Sequence, residues 1–325
     1  SRLELIKKFP HAIVGAVFAD GDGDGVYELV YAANDRLFIS SSITGEVLWE
    51  SPSTKGMKLN SIMAADLDGN GREEIYVNYV HYAKIKSMIA VNENGRWEIK
   101  QKDLPYYFSG NDHGGILAQK SDERDVVGLT VYGVKYDGNE ITLEKLFTLP
   151  NSGPVGLSRI SDNPAFLAGT SRNRKLTVFD EKGNWVTITT ALKTGSNQAI
   201  DLHIEDISLM DVTAGSTIPF LLLGIKFLKL TLPSGTVIAV PENAGKRFSY
   251  VADYIGSYKA GRVRLVEFNS GKVFETLTMT PFIEGWVITS IFTNPGSNNI
   301  EIYATANHTG KEAGGRIYRL VIPRL

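Results

Sequence analysis

The sequence predicts an all-β fold made of repeated four-stranded antiparallel sheets, and three observations carry that prediction. Strand and turn formers dominate: Val, Ile, Thr and Tyr are abundant, Gly is present 32 times and Pro 12 times, and no long amphipathic helical pattern occurs. An acidic segment is repeated, with Asp20 and Asp66 in the same place 46 residues apart. Hairpin turns that pair a small or polar residue with Gly return on the same beat.

The repeat is ungapped. Phe18-Ala-Asp-Gly-Asp-Gly-Asp-Gly-Val-Tyr-Glu-Leu-Val-Tyr aligns with Ala64-Ala-Asp-Leu-Asp-Gly-Asn-Gly-Arg-Glu-Glu-Ile-Tyr-Val. An eroded third copy is Phe292-Thr-Asn-Pro-Gly-Ser-Asn-Asn-Ile-Glu-Ile-Tyr-Ala, where Glu301 matches Glu28 and Glu74 while Thr293 replaces the first Asp. The turns are Thr44-Gly45, Asn94-Gly95, Asp137-Gly138, Lys182-Gly183, Ser234-Gly235 and Ser270-Gly271. Their mean spacing, about 45 residues, is the length of a β-propeller blade. A chain of 325 residues then holds seven blades: 12–52, 60–102, 113–150, 153–192, 200–243, 246–281 and 285–325. The last offers only three strands, and the alternating segment 3–9 is expected to supply the fourth, closing the ring and covering two sheet edges. No linker interrupts the rhythm, so 1–325 is expected to be one domain.

The acidic segments call for a cation. Asp20, Asp22, Asp24 and Glu28 crowd nine residues, and so many carboxylates repel one another unless a hard cation gathers them. Calcium takes six to eight oxygens and accepts mixed carboxylate, carbonyl and water donors. Positions 1, 3 and 5 then point inward, Gly21, Gly23 and Gly25 allow a left-handed backbone, the Val26 carbonyl sits at position 7 and Glu28 closes the shell at position 9. The second segment repeats this with Asp66, Asp68, Asn70, the Arg72 carbonyl and Glu74. An EF-hand is excluded, because its position 12 requires Glu and the chain has Tyr31 and Val77 there, between strands rather than helices.

These two loops resemble the FG-GAP (VCBS) repeats of integrin-α-type seven-bladed propellers. The resemblance implies calcium on the hairpin between the first two strands of a blade, held by Asp20, Asp22, Asp24, Val26 and Glu28 and by Asp66, Asp68, Asn70, Arg72 and Glu74. It also implies adhesion, ligand binding or scaffolding, mostly outside the cytoplasm, with a polysaccharide-active enzyme (lyase or hydrolase) acting at the propeller axis as the alternative. Position 9 is Glu where the family more often has Asp.

Composition narrows the partners. A net charge of −2 without a basic block excludes a nucleic-acid footprint. The longest apolar run, Ile218 to Leu232, is broken by Pro219, Lys226 and Lys229, so no helical membrane span is expected. The absence of Cys removes thiol catalysis, disulfides and Cys-ligated zinc. His11, His81, His113, His203 and His308 form no zinc-binding pair, no G-x-S-x-G elbow occurs, and Asp112-His113 reads as a turn with a satisfied histidine. Trp49, Trp97 and Trp185 follow turn glycines in a pattern similar to the tryptophan-docking turns of quinoprotein propellers, and are expected to pack between blades. Asn78 to Tyr82 and Pro105 to Phe108 offer aromatics for stacking on sugar rings, and Asn307-His-Thr309 is a single glycosylation sequon. The expected protein is therefore a non-catalytic module with two calcium sites and a protein or glycan ligand. Its expected setting is extracytoplasmic, because short-loop calcium sites work at about 10⁻⁴–10⁻³ M.

Overall fold

The computed structural model describes residues 2–33, 35–53, 56–81, 84–121, 127–150, 155–162, 165–170, 175–193, 195–201, 220–224, 228–232, 235–244, 260–268, 274–297, 301–308 and 313–321. All regular structure among them is β-strand. After β1 (Arg2–Lys8), sheet 1 holds β2 (Ile13–Ala19), β3 (Glu28–Ala33), β4 (Arg36–Ser40) and β5 (Val47–Glu50). Sheet 2 holds β6 (Met57–Ala65), β7 (Glu74–His81), β8 (Lys84–Glu93) and β9 (Arg96–Leu104). Sheet 3 is β10 (Tyr106–Gly110), β11 (Ile116–Lys120), β12 (Thr130–Tyr136) and β13 (Ile141–Thr148). Sheet 4 is β14 (Val155–Asp162), β15 (Ala165–Thr170), β16 (Lys175–Asp180) and β17 (Trp185–Lys193). The strands β18 (Gly195–Asp201) and β19 (Phe220–Gly224) pair only with each other. Sheet 5 contains β20 (Leu228–Leu232), β21 (Gly235–Ala244), β22 (Ala260–Phe268), β23 (Phe274–Met279) and the short β24 (Ile283–Glu284) on β22. Sheet 6 has β25 (Trp286–Thr293), β26 (Ile302–His308) and β27 (Gly314–Val321), and β1 pairs antiparallel with β27 as its fourth strand.

Every strand pairing is antiparallel between chain neighbours, apart from β1 with β27 and β24 with β22, and the apolar faces meet between sheets. Val17, Val30 and Ile39 of sheet 1 pack with Ile62, Ile75 and Met88 of sheet 2. Met63, Tyr76 and Ile89 meet Phe108, Ile116 and Ala118 of sheet 3. Leu117, Val131 and Phe147 meet Leu157, Leu167 and Phe179 of sheet 4. Ile160 and Val178 meet Ile238 and Val266 of sheet 5. Val237 and Leu265 meet Ile291 and Ile302 of sheet 6. Finally Phe292, Tyr303 and Ile317 return to Phe18, Leu29 and Tyr31. The sixth seam closes the ring: the fold is a β-propeller.

The described residues thus form six blades, where the turn spacing predicts seven. The expected boundary between 200–243 and 246–281 is bridged by eight consecutive pairs of β21 with β22, from Val237↔Glu267 to Ala244↔Ala260. Thr44-Gly45, Asn94-Gly95, Asp137-Gly138 and Lys182-Gly183 each join the third and fourth strands of a sheet, and the 269–273 connection joins β22 to β23 likewise. Gly235, by contrast, opens the second strand of sheet 5. One signature marks two different hairpins; among the described residues six sheets have four or more strands, and β18 with β19 forms a seventh sheet of two.

A side-chain device recurs at four seams among the described residues. The amide of Asn78 donates to the Phe108 carbonyl (2.7 Å) and accepts the Phe108 N–H (2.8 Å). Asn111 does the same to Arg159 (2.9 and 2.9 Å), Asn243 to Ile288 (2.9 and 2.9 Å) and Asn307 to Ile13 (2.9 and 2.8 Å). Each amide imitates one residue of a pairing strand and satisfies backbone groups that the blade edge leaves open.

Candidate metal centre

Both acidic loops join the first two strands of their sheets. Loop one spans 20–28 between β2 and β3, and loop two spans 66–74 between β6 and β7. The pairs Ala19↔Glu28 and Ala65↔Glu74 set the closing glutamates on the strands at the hairpin bases. Glu28 is 8% exposed and Glu74 3%, while residues 22–26 and 69–72 are exposed.

The two loops share one hydrogen-bond pattern. Asp20 Oδ1 accepts from the amides of Gly23 (2.8 Å) and Asp24 (3.1 Å), and Oδ2 from that of Gly25 (3.0 Å). Asp66 accepts from Gly69, Asn70 and Gly71 at 2.8, 3.1 and 3.0 Å. Gly23 and Gly25, like Gly69 and Gly71, have φ between +74° and +83°, where a Cβ would be strained. Gly21 does not share that conformation, contrary to expectation. It is glycine because a Cβ there would lie 2.0 Å from Trp97 of sheet 2.

In loop one, carboxylate oxygens of Asp20, Asp22 and Asp24 lie within 4.8 Å of one another, and in loop two those of Asp66, Asp68 and Glu74 do. Glu28 stands outside the first group, its Oε2 accepting from the Gly21 amide at 3.4 Å. Glu74 Oε2 accepts from the Leu67 amide and the Tyr76 hydroxyl, both at 3.0 Å. At position 5 the loops differ. Asp24 and Asn70 each accept from the amide two residues on, that of Val26 (2.7 Å) or Arg72 (2.8 Å), but Asn70 turns its Nδ2 toward Asp68 Oδ2 (2.9 Å). The structure places Val26 and Arg72 at equivalent points, directly before the closing turn into β3 and β7.

Burial raises the closing carboxylates. Desolvation, followed by the nearby Asp22 and Asp24 charges, pushes Glu28 up to about 7. Desolvation, then Asp68 and Asp66, pushes Glu74 up to about 7 against the opposing bonds from Leu67 and Tyr76. Asp22 is raised mainly by desolvation as well. Among the described residues no Lys or Arg forms an ion pair with either glutamate. An all-oxygen donor set around buried, uncompensated carboxylates fits a hard divalent cation.

Sequence reasoning missed the connection between the loops. Glu73 Oε2 accepts the Asp20 amide (3.0 Å), the Glu73 amide donates to the Asp20 carbonyl (2.9 Å), and Glu73 Oε1 meets His113 Nδ1 (2.5 Å). Tyr27 lies edge-on to the His113 ring, with centroids 5.8 Å apart. His113 is thus a turn residue, as expected, but only its Nδ1 is engaged: its Nε2 is buried and has no hydrogen-bond partner among the described residues. Trp49 and Trp97 pack on the core shared by sheets 1 and 2, whereas Trp185 is 42% exposed. The aromatics proposed for sugar stacking do not form a platform. Tyr79, Tyr107 and Phe108 are buried in seams, Tyr106 is half-buried near Phe108, and Tyr82 lies outside the described residues. The sequon residue Asn307 is committed to Ile13.

No helix among the described residues is long and apolar enough to cross a membrane. No family model matches the chain, and no curated protein matches it. Solved structures do. A PQQ-bound aldose sugar dehydrogenase from Streptomyces coelicolor is 12% identical, covers 98% of this chain and 97% of its own, and has a TM-score of 0.49. The BBS1N structure in complex with ARL6DN, soaked with lead, is 12% identical over 99% and 97% of the two chains, with a TM-score of 0.48. The Dos1 propeller is 12% identical over 94% and 66%, with a TM-score of 0.47.

Proposed function

We propose that the chain is a calcium-binding propeller of FG-GAP (VCBS) type, a non-catalytic module that presents a protein or glycan ligand surface in an extracytoplasmic space. The observation that carries this reading is the pair of loops with one hydrogen-bond pattern around the first aspartate, each ending on a glutamate that is buried without a protein cation. In loop one, Asp20, Asp22 and Asp24 would hold the ion, with Glu28 and the Val26 carbonyl completing the shell. In loop two, Asp66, Asp68 and Glu74 would do so, with Asn70 and the Arg72 carbonyl. The chain's own contribution is to fix the first aspartate through three backbone amides and to keep the closing glutamate on a strand. A bound ion neutralises the repulsion among these groups and locks the hairpin against its neighbour.

Calorimetric titration of calcium into chelator-treated protein tests the reading. Two sites with dissociation constants in the range of about 10⁻⁴–10⁻³ M are expected. Saturation should stabilise the fold by RT ln(1 + [L]/Kd), about 2.7 kcal/mol per site at a hundredfold excess over Kd. Asp20→Ala should remove one site and leave the other. Absence of uptake at millimolar calcium would overturn the assignment.

A further inference from the structure

We propose that Arg319 is a built-in cation of sheet 6, standing where loops one and two take a metal ion, an inference that rests on the calcium reading of those loops. Register comparison carries it. Two residues after each closing glutamate, the second strand faces the third: Val30 opposite Ile39 in sheet 1, Tyr76 opposite Ile89 in sheet 2, and Tyr303 opposite Arg319 in sheet 6. The two acidic-loop blades hold a fully buried isoleucine at that place, and the blade with the eroded loop holds an arginine.

The guanidinium reaches the equivalent glutamate. Arg319 Nη1 lies 3.0 Å from Glu301 Oε1, and Tyr303 donates to Glu301 Oε2 at 2.6 Å, repeating the bond from Tyr76 to Glu74. Sheets 2 and 6 therefore share the Glu–Tyr pair and differ in what neutralises it. In the same blade the segment between Phe292 and Glu301 carries no carboxylate, and Thr293 is a residue of β25 opposite Ile302 rather than a loop residue. The carboxylates are absent where the arginine is present. Arg319 Nη2 also binds Glu4 Oε2 on β1 at 2.8 Å, so the same cation fastens the strand that completes the ring. Sheet 6 is closed without metal, while sheets 1 and 2 depend on it.

Hydrogen exchange by mass spectrometry on the full chain, in calcium and in EDTA, tests this. In wild type, EDTA should accelerate exchange across 20–33 and 66–81 and leave 2–8 and 314–321 unchanged. Arg319→Ile, which copies sheets 1 and 2, should accelerate 2–8 and 314–321 in both media and lower Tm by about 2–4 °C. Arg319→Lys should retain part of the protection. Adding Glu301→Gln to Arg319→Ile should restore part of the loss, because the uncompensated carboxylate is gone. Unchanged protection in Arg319→Ile, or no rescue by Glu301→Gln, would overturn the role of Arg319. Failure of EDTA to affect 20–33 and 66–81 would instead overturn the calcium reading and leave Arg319 as an ordinary ion pair.

Discussion

Glu73 and Asp20 hold each other across the seam between sheets 1 and 2: the Glu73 carboxylate accepts the Asp20 amide at 3.0 Å, and the Glu73 amide donates to the Asp20 carbonyl at 2.9 Å. The first ligand position of loop one is thereby tied to the residue lying between Arg72 and Glu74 of loop two. Glu73→Ala orphans the Asp20 amide and His113 Nδ1. It should cost about 1–3 kcal/mol, read as a lower urea midpoint with unchanged slope. Glu73→Gln keeps one acceptor and one hydrogen-bonding group and should cost less. An unshifted midpoint in Glu73→Ala would show that the seam does not depend on this residue.

Acid–base behaviour follows from Glu28 and Glu74, whose folded values are pushed from 4.5 up to about 7. Between those limits the folded chain holds more protons than the unfolded one, so the metal-free protein should lose stability as pH rises through that window. Calcium needs the ionised carboxylates and should displace those protons near pH 6. Calorimetry in two buffers of different ionisation heat measures the release directly. Identical heats in both would mean the glutamates are already ionised.

Charge should rank the loops. Loop one carries four carboxylates, and loop two has Asn70 at position 5, with its Nδ2 facing Asp68. Asn70→Asp removes that mismatch and should tighten the second site by about tenfold, about 1.4 kcal/mol. In wild type, loop one should fill first in a titration resolved by residue. If loop two fills first, the gathering of Glu74 with Asp66 and Asp68, which loop one does not match with Glu28, outweighs charge.

The Asn78 side chain is fully buried, with both ends of its amide on Phe108. Asn78→Ala leaves a buried N–H and C=O unpaired and should cost about 2–4 kcal/mol in urea unfolding. A loss under about 0.5 kcal/mol, the range of an ordinary surface substitution, would remove the clasp from the account of seam stability.

What the sequence made legible was local. The alternation of segment 3–9, the turn at Thr44-Gly45 and the nine-residue spacing from Asp20 to Glu28 are each written within a few residues, and the structure contains them as a strand, a turn and a hairpin loop. Blade boundaries were less legible, because Gly235 follows the same small-residue signature as the other turns yet opens the second strand of sheet 5. Tyr79 and Phe108 look alike in sequence whether they face a ligand or a neighbouring sheet, and only the ring decides that they face a sheet. Glu73 and His113 are 40 residues apart. Nothing in the local pattern of either announces the other, since their contact exists only once sheets 2 and 3 stand side by side.

The asparagine clasps bear on how such a ring grows. At three of the four seams the amide sits on the second strand of one blade and grips the first strand of the next, as Asn78, Asn243 and Asn307 do. A tandem duplication of one such unit carries its own fastener and its own socket, so the new joint works without any matched mutation in a neighbour.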